Sequence, residues 1–324
     1  MRSASSEIGT IATASAPRSK PYIGRFAPSP TGPLHFGSLL AAVASYLEAR
    51  ARGGQWLLRV EDIDPPREQP GASDEILAAL EHYGFDWDGP VSYQSESREA
   101  HEQAIQALDA AGKIYRCGCS RRDLAEAPRS SLGIIYPGTC RTGCHGAETA
   151  LRVLTTDVPV IFEDRLQGRQ AQRLQSDSGD FIVFRRDGLI AYQLAVVVDD
   201  QLQGITDVVR GIDLMDSTPR QIWLQQVLGY TTPEYCHIPV AVNDKGQKLS
   251  KSHGAKGVSF DDVATTLFTA LQLLGQQPAL DLRLASVDEI WQWACDHWSL
   301  DVLTGKTEIA ADTGALAEAG NGLS

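Results

Sequence analysis

Two short stretches, far apart in the chain, carry side chains suited to handling a nucleoside triphosphate. The first runs from Arg25-Phe26-Ala27-Pro28-Ser29 to His35-Phe36-Gly37-Ser38. A helix beginning at this His-x-Gly-Ser offers unpaired N–H groups and a positive dipole end to phosphate oxygens. Gly37 leaves room for a flat base against the backbone. His35 can donate to phosphate oxygens as charge develops during displacement at the α-phosphorus. The second stretch is Lys248-Leu249-Ser250-Lys251-Ser252, in a short basic loop that contains glycine. Its two ammonium groups can swing onto a pyrophosphate leaving group, and the hydroxyls of Ser250 and Ser252 add hydrogen bonds. Each stretch alone also fits a bland reading, a structural histidine or a solvated basic loop. The pair together points to an ATP site.

A third group of residues suits a metal. The six cysteines stand at 117, 119, 140, 144, 236 and 295, so four fall inside 28 residues. Such clustering in a chain without a secretory signal reads as a metal site in a reducing compartment rather than a disulfide framework. A Cys117-x-Cys119 pair with a distant thiolate from Cys140 suits tetrahedral zinc, and spacing alone selects Cys144 as the fourth ligand. A closed set of four ligands makes the expected Zn2+ a single structural ion.

These residues need a scaffold, and the hydrophobic pattern supplies one. Residues 22–27 read as a strand, Gly37 to Ala51 as a helix with Leu39, Leu40, Val43, Tyr46 and Leu47 on one face, and Gln55 to Val60 as a buried strand. Strand, Pro/Gly-rich loop, helix and strand open a parallel α/β sheet. Further strands are predicted over 181–186 and 204–210. A helix is predicted over 219–228, with Thr218 as N-cap, Pro219 at its first position and Gly229 past its end. Ser286 followed by Glu289 is a capping-box signature for one more helix.

The motifs resemble the two nucleotide signatures of class I aminoacyl-tRNA synthetases, with Phe36 and Ser38 departing from that pattern. Around them, Arg25 to Gly32, Leu58 to Arg67, Tyr192 and Val208 to Gly211 look like the glutamyl-tRNA synthetase group. That resemblance implies a Rossmann-type catalytic domain that condenses an amino acid with ATP, with Mg2+ accompanying the nucleotide. It implies ATP contacts at Pro28, His35, Gly37, Ser38, Lys248, Ser250 and Lys251, with His35, Lys248 and Lys251 catalytic. It implies a pocket for L-glutamate from Arg25, Phe26, Ala27, Pro28, Ser29, Glu61, Tyr192 and Arg210. The chemistry fits, because glutamate brings two carboxylates for guanidinium groups and one ammonium for Glu61. Either arginine can take either carboxylate.

Only 72 residues follow Ser252, too few for the anticodon-binding region expected of full glutamyl-tRNA synthetases. A synthetase core of this kind is similar, over about residues 21–300, to the glutamyl-queuosine tRNA(Asp) synthetases. In that family a Cys-x-Cys pair, a tyrosine and a further cysteine hold the metal, which implies Tyr136 in place of Cys144. The implied partners are L-glutamate, ATP and queuosine-containing tRNA(Asp). The alternatives are a truncated glutamyl-tRNA synthetase charging the 3′ end of tRNA and a non-catalytic amino-acid-binding paralogue. The expected organisation is an unstructured extension over 1–20, catalytic halves at 21–112 and 189–256, and a zinc-containing, acceptor-binding-like insertion at 113–188. A short helical part at 257–300 and an unstructured tail at 301–324 follow.

Charge first argues against a polyanionic partner: 41 acidic against 29 basic residues give −12. The acidity is local, however. Residues 61–88 and 257–324 each carry −8, whereas 1–60 carry +5 and 244–256 carry +3. The motif-bearing segments are therefore basic, and RNA binding confined to one face and strongly dependent on salt is the expectation. No apolar run approaches the roughly 20 residues of a membrane-spanning helix. The expected location is cytoplasmic.

Overall fold

Nearly continuous burial in Ile23–Phe26 (β1) and Gln55–Val60 (β2) marks two parallel strands covered on both faces, with Arg25 opposite Leu57, joined through the helix Phe36–Ala51 (α1). The computed structural model describes residues 21–144, 146, 148–243, 245–249 and 257–311. After β2, helix Ala72–His82 (α2) leads to a short strand Ser92–Tyr93 (β3), parallel on the far edge of β2, and then to helix Arg98–Ala110 (α3).

The segment expected as an insertion begins with Ile114–Cys117 (β4) and a hairpin of Arg129–Ser130 (β5) and Gly133–Ile134 (β6). Ala150–Val153 (β7) lies antiparallel between β4 and a later strand. Val160–Asp164 (β8) and Gly168–Gln172 (β9) form a hairpin, one helical turn Leu174–Asp177 (α4) follows, and Ile182–Phe184 (β10) completes the three-stranded sheet with β7 and β4.

Helix Tyr192–Leu202 (α5), strand Asp207–Gly211 (β11), helix Thr218–Leu228 (α6) and strand Glu234–Ile238 (β12) repeat the parallel pattern, with Arg210 opposite His237. β12 also pairs with β8, so the β8–β9 hairpin extends this half of the sheet. The two halves adjoin at β1 and β11: Thr206 N–H donates to the Ile23 carbonyl at 2.9 Å, and Ile23 N–H to the Thr206 hydroxyl at 2.8 Å. β3-β2-β1 and β11-β12 are each parallel, and set side by side through Ile23 and Thr206 they follow the order of a doubly wound sheet. Its direction of winding reverses between β1 and β11, where a crevice opens beyond the carboxyl ends of the strands.

Val240–Val242 (β13), helices Val263–Leu273 (α7) and Val287–His297 (α8), and Glu308–Ala310 (β14) complete the described chain. The helical part packs its Leu267, Leu271, Ile290 and Trp291 into the same core as Leu39, Leu47, Trp56 and Leu80. α1 is consequently buried on more than the one face its periodicity suggests, with Ala42, Ala44 and Ser45 also enclosed.

Several expectations shift. Ser217, not Thr218, is the N-cap of α6, and Thr218 opens the helix with Pro219 behind it. The Thr218 hydroxyl is engaged elsewhere, accepting from Arg210 at 2.7 Å. Gly229 does close α6, at φ 71°. The capping box of Ser286 and Glu289 on α8 is present. The tail from 301 was expected to lack structure, but β14 pairs in parallel with β13, because its backbone groups and Ile309 find partners there that local sequence does not announce. Residues 1–20 and 312–324 lie outside the described residues.

Candidate active site and cysteine cluster

A cavity of about 310 Å³ opens at the junction of β1 and β11. Its lining takes Arg25 to Ser29 from the end of β1, His35, Gly37 and Ser38 from the start of α1, Glu61 from the end of β2, Tyr192 from α5, Arg210 from β11, and Lys248. Every expected ATP or glutamate residue that is described therefore faces one cavity. Ser250 and Lys251, with Ser252, lie outside the described residues. The sequence reading missed the other wall: Asp213 and Leu214 after β11, and Pro239 to Ala241 after β12. Position was the available signal, since these segments follow the strands that flank the switch point.

The start of α1 is fixed by His35 itself. Its Nδ1 accepts the Ser38 N–H at 3.1 Å, which makes it the helix N-cap, and its Nε2 lies 3.1 Å from the Ser38 hydroxyl. An accepting Nδ1 leaves the proton on Nε2. Burial lowers the His35 pKa, with Asp213 opposing, so the ring enters the site as a neutral N–H donor. Across the cavity mouth Lys248 Nζ stands 3.9 Å from Asp213 Oδ2.

The opposite end is a network of buried charge. Arg25 meets Asp200 through Nε–Oδ1 at 3.0 Å and Nη2–Oδ2 at 3.3 Å. Arg59 lies beneath, 2.8 Å from Asp200 and 3.3 Å from Glu61. Burial pushes the Glu61 carboxyl above the usual carboxylate range, against the pull of Arg59 and Arg25. An arriving ammonium group relieves that penalty. Arg210 is tied along one edge, through Nε to His237 and Nη2 to Thr218, and its Nη1 is buried without a hydrogen-bond partner among the described residues. Burial also raises Tyr192, against Arg210, so it stays a protonated hydroxyl. The arrangement offers cations for carboxylates, a carboxyl for an amine, and a helix N-terminus beside a lysine for phosphates.

In the insertion, the thiol sulfurs of Cys117, Cys119 and Cys140 lie within 4.8 Å of one another. The Tyr136 hydroxyl lies among them, 3.3 Å from Cys117 Sγ and 3.8 Å from Cys119 Sγ, and accepts the Cys140 N–H at 3.0 Å. Gly179 permits this: a side chain there would come within 2.4 Å of the Tyr136 carbonyl. Cys144 is half-buried beside Cys140 and stands outside that tight group. Three soft thiol donors and a phenol oxygen in one small volume fit a tetrahedral borderline-soft ion.

A model of the tRNA synthetases class I (E and Q), catalytic domain, matches residues 23–294. The chain belongs to this family. It is 52% identical over 294 residues to a glutamyl-Q tRNA(Asp) synthetase of Dechloromonas aromatica, covering 89% of this chain and 98% of that relative. It is 53% identical over 282 residues to the one of Chromobacterium violaceum, covering 86% and 94%. Within the class I synthetases it thus belongs with the glutamyl-Q tRNA(Asp) synthetases, and it is a class I aminoacyl-tRNA synthetase-like ligase. A glutamate-tRNA synthetase from Elizabethkingia anophelis shares the fold at a TM-score of 0.75 and 22% identity, covering 93% of this chain and 70% of that one. Membership of the class implies ATP with Mg2+. No described helix is long and apolar enough to cross a membrane.

Proposed function

We propose that this synthetase activates L-glutamate with ATP, without tRNA, and transfers the glutamyl group to queuosine in the anticodon of tRNA(Asp). The observation that carries the reading is the convergence of Arg25, Glu61, Tyr192 and Arg210 with His35, Gly37, Ser38 and Lys248 on one cavity. In the first step a glutamate α-carboxylate oxygen attacks the α-phosphorus of ATP, and pyrophosphate leaves. His35 Nε2–H and the N-terminus of α1 stabilise the charge gathering on the phosphate oxygens. Lys248, with Lys251 and Ser250, balances the leaving pyrophosphate. Glu61 holds the substrate ammonium, the guanidinium groups hold its carboxylates, and the Tyr192 hydroxyl adds a hydrogen bond. An arginine pocket also rejects glutamine, whose amide would set N–H against N–H. In the second step a hydroxyl of the cyclopentenediol of queuosine attacks the adenylate carbonyl, an ester forms and AMP leaves.

In the same reading Cys117, Cys119, Tyr136 and Cys140 hold one structural Zn2+, which cross-links the insertion when bound. The tight grouping of these donors, with Cys144 to one side, favours Tyr136 as the fourth ligand. The free state of all six cysteines suits a reducing compartment, and the cytoplasm is the location proposed.

The test is glutamate-dependent ATP–pyrophosphate exchange without tRNA, followed by transfer of labelled glutamate. Label released with the anticodon fragment of queuosine-containing tRNA(Asp) after nuclease cleavage supports the reading. Absence of exchange in a folded, zinc-loaded sample overturns it, and label on the 3′ end of tRNA(Glu) replaces it with a truncated glutamyl-tRNA synthetase.

A further inference from the structure

Behind the cavity wall lie two buried polar groups, Asp164 and His237, that the reaction steps above do not use and that lead to Arg210. Asp164 closes β8, His237 sits on β12, and Arg210 sits opposite His237 on β11. Asp164 Oδ2 is 2.6 Å from His237 Nδ1. Its Oδ1 accepts backbone N–H groups of Leu166 at 3.0 Å, Gln167 at 2.9 Å and His237 at 3.3 Å. On the far side of the ring, His237 Nε2 lies 3.1 Å from Arg210 Nε and 3.1 Å from the Thr218 hydroxyl. Arg210 Nη2 donates to that same hydroxyl at 2.7 Å. The side chains of His237 and Asp164 are 0% exposed.

Proton bookkeeping along this chain gives one arrangement. A carboxylate with three backbone donors on one oxygen is ionised, and its other oxygen needs a donor. Burial alone would raise Asp164, yet the His237 hydrogen bond and the backbone donors hold it below the usual carboxylate value. The His237 proton therefore resides on Nδ1. Burial keeps the ring neutral, and Nε2 then presents a lone pair. Arg210 carries only donors, so its Nε–H has an acceptor in this tautomer and would meet another N–H in the opposite one. The ring and the Thr218 hydroxyl thus clamp one edge of the guanidinium, and Nη1 is the nitrogen left without a partner among the described residues.

We propose that Asp164 and His237 are positioning residues, which act through the His237 tautomer to aim Arg210 at a carboxylate of the substrate. The inference rests on the reading that Arg210 binds glutamate, and deepens it. The clamp explains how a single long side chain offers one fixed donor pair to a small ligand. It also makes the orientation depend on a proton two groups away, as preorganised sites require.

Asp164→Asn tests the proposal most directly. The amide keeps the shape, but its NH2 facing Nδ1 forces the ring proton onto Nε2, against Arg210. The KM for glutamate in ATP–pyrophosphate exchange should rise about tenfold or more, with the KM for ATP unchanged. An unchanged glutamate KM, or equal rises in both constants, would overturn the proposal. Arg210→Ala separates the two layers. If it leaves the glutamate KM unaltered, the glutamate-binding role itself fails. If it raises that constant while Asp164→Asn does not, only the positioning role fails. Two further measurements cover a variant that does not fold. His237→Gln retains an acceptor near the Nε2 position and should raise the glutamate KM less than His237→Leu does; equal effects count against the clamp. In the unmodified enzyme, ¹⁵N shifts of the His237 ring should report protonated Nδ1 and bare Nε2, and the reverse pattern is incompatible with the proposal.

Discussion

The guanidinium of Arg25 and the carboxylate of Asp200 face each other in a buried two-point pair, Nε to Oδ1 at 3.0 Å and Nη2 to Oδ2 at 3.3 Å. Asp200 also takes Arg59 Nη2 at 2.8 Å, so a single carboxylate stands between two enclosed cations. Arg25 and Arg210 therefore both arrive at the cavity with Nε and Nη2 committed, Arg25 to a carboxylate and Arg210 to the neutral His237 ring and the Thr218 hydroxyl, and Nη1 of Arg210 is buried without a partner among the described residues. Burial would raise Asp200, but Arg25 and Arg59 outweigh it and hold the group ionised. Replacing Asp200 with Ala leaves both guanidinium groups undercompensated in a site too enclosed for water to help. The expected loss is about 3–5 kcal/mol of folding stability, read from urea unfolding. A loss below about 1 kcal/mol would place this pair with ordinary surface ion pairs.

The cysteine cluster predicts a metal content that separates its candidate ligands. Purified protein should hold about one zinc per chain, measured by elemental analysis. Cys119→Ser and Cys140→Ser should each lower that content sharply, because each removes a thiolate from a group gathered within 4.8 Å. Cys144→Ser should leave it unchanged, and Tyr136→Phe should weaken retention against a chelator. Full retention in Tyr136→Phe together with loss in Cys144→Ser would reverse the assignment of the fourth ligand. Zinc removal should also lower the melting temperature, since the insertion has only a small core of its own around Cys117, Tyr136 and Cys140.

What the sequence revealed was whatever local spacing encodes. Arg25, His35 and Lys248 were legible as residues of one cavity because each sits in a short motif, and the helix and strand around the first two follow simple periodicity. Asp164 and His237 were not, because 73 residues separate two side chains that carry no motif, and only the pairing of β8 with β12 brings them together. Thr218 looked like a helix cap by type, but Arg210 claims its hydroxyl, a competition that local sequence cannot display. Asp213 and Pro239 line the cavity only because they follow strands at the switch point, which requires the strand order to be known.

Two histidines predict how stability varies with pH. His35 and His237 both lie below the ordinary value of 6.5, each because burial disfavours the cation. Asp213 faces His35 and opposes the shift; Asp164, Arg210 and Asp213 face His237. In the unfolded chain both rings take up protons near pH 6.5, but in the folded chain only at lower pH. The unfolded state thus binds more protons in that window, and folding stability falls as pH drops below about 6.5, levelling once the folded rings titrate. Paired carboxylates such as Asp200 weaken only nearer pH 4, about their unfolded value. Urea midpoints at pH 7.5 and 5.5 should differ for the unmodified protein, and differ less for His237→Gln. Identical pH slopes for the two proteins would remove His237 from this account.

The C-terminal strand predicts a sharp boundary for truncation. β14 pairs with β13 through Glu308 opposite Val240, Ile309 opposite Ala241 and Ala310 opposite Val242. Val240 and Ala241 are cavity wall, so β14 braces that wall from behind. Gly305 N–H donates to the Leu166 carbonyl at 2.9 Å, Gln167 Nε2 to the Lys306 carbonyl at 2.9 Å, and Ala311 N–H to the Val242 carbonyl at 2.9 Å. Leu166 and Gln167 are the residues whose N–H groups hold Asp164, so the same tail also steadies the positioning chain behind Arg210. A chain ending at Leu303 loses all of these bonds, and at about 1 kcal/mol each should lose at least about 2 kcal/mol and melt several degrees lower. Its KM for glutamate should rise with it. A chain ending at Ala311 keeps every one of these bonds and should melt above the one ending at Leu303; equal melting temperatures for the two truncations would show that β14 braces nothing.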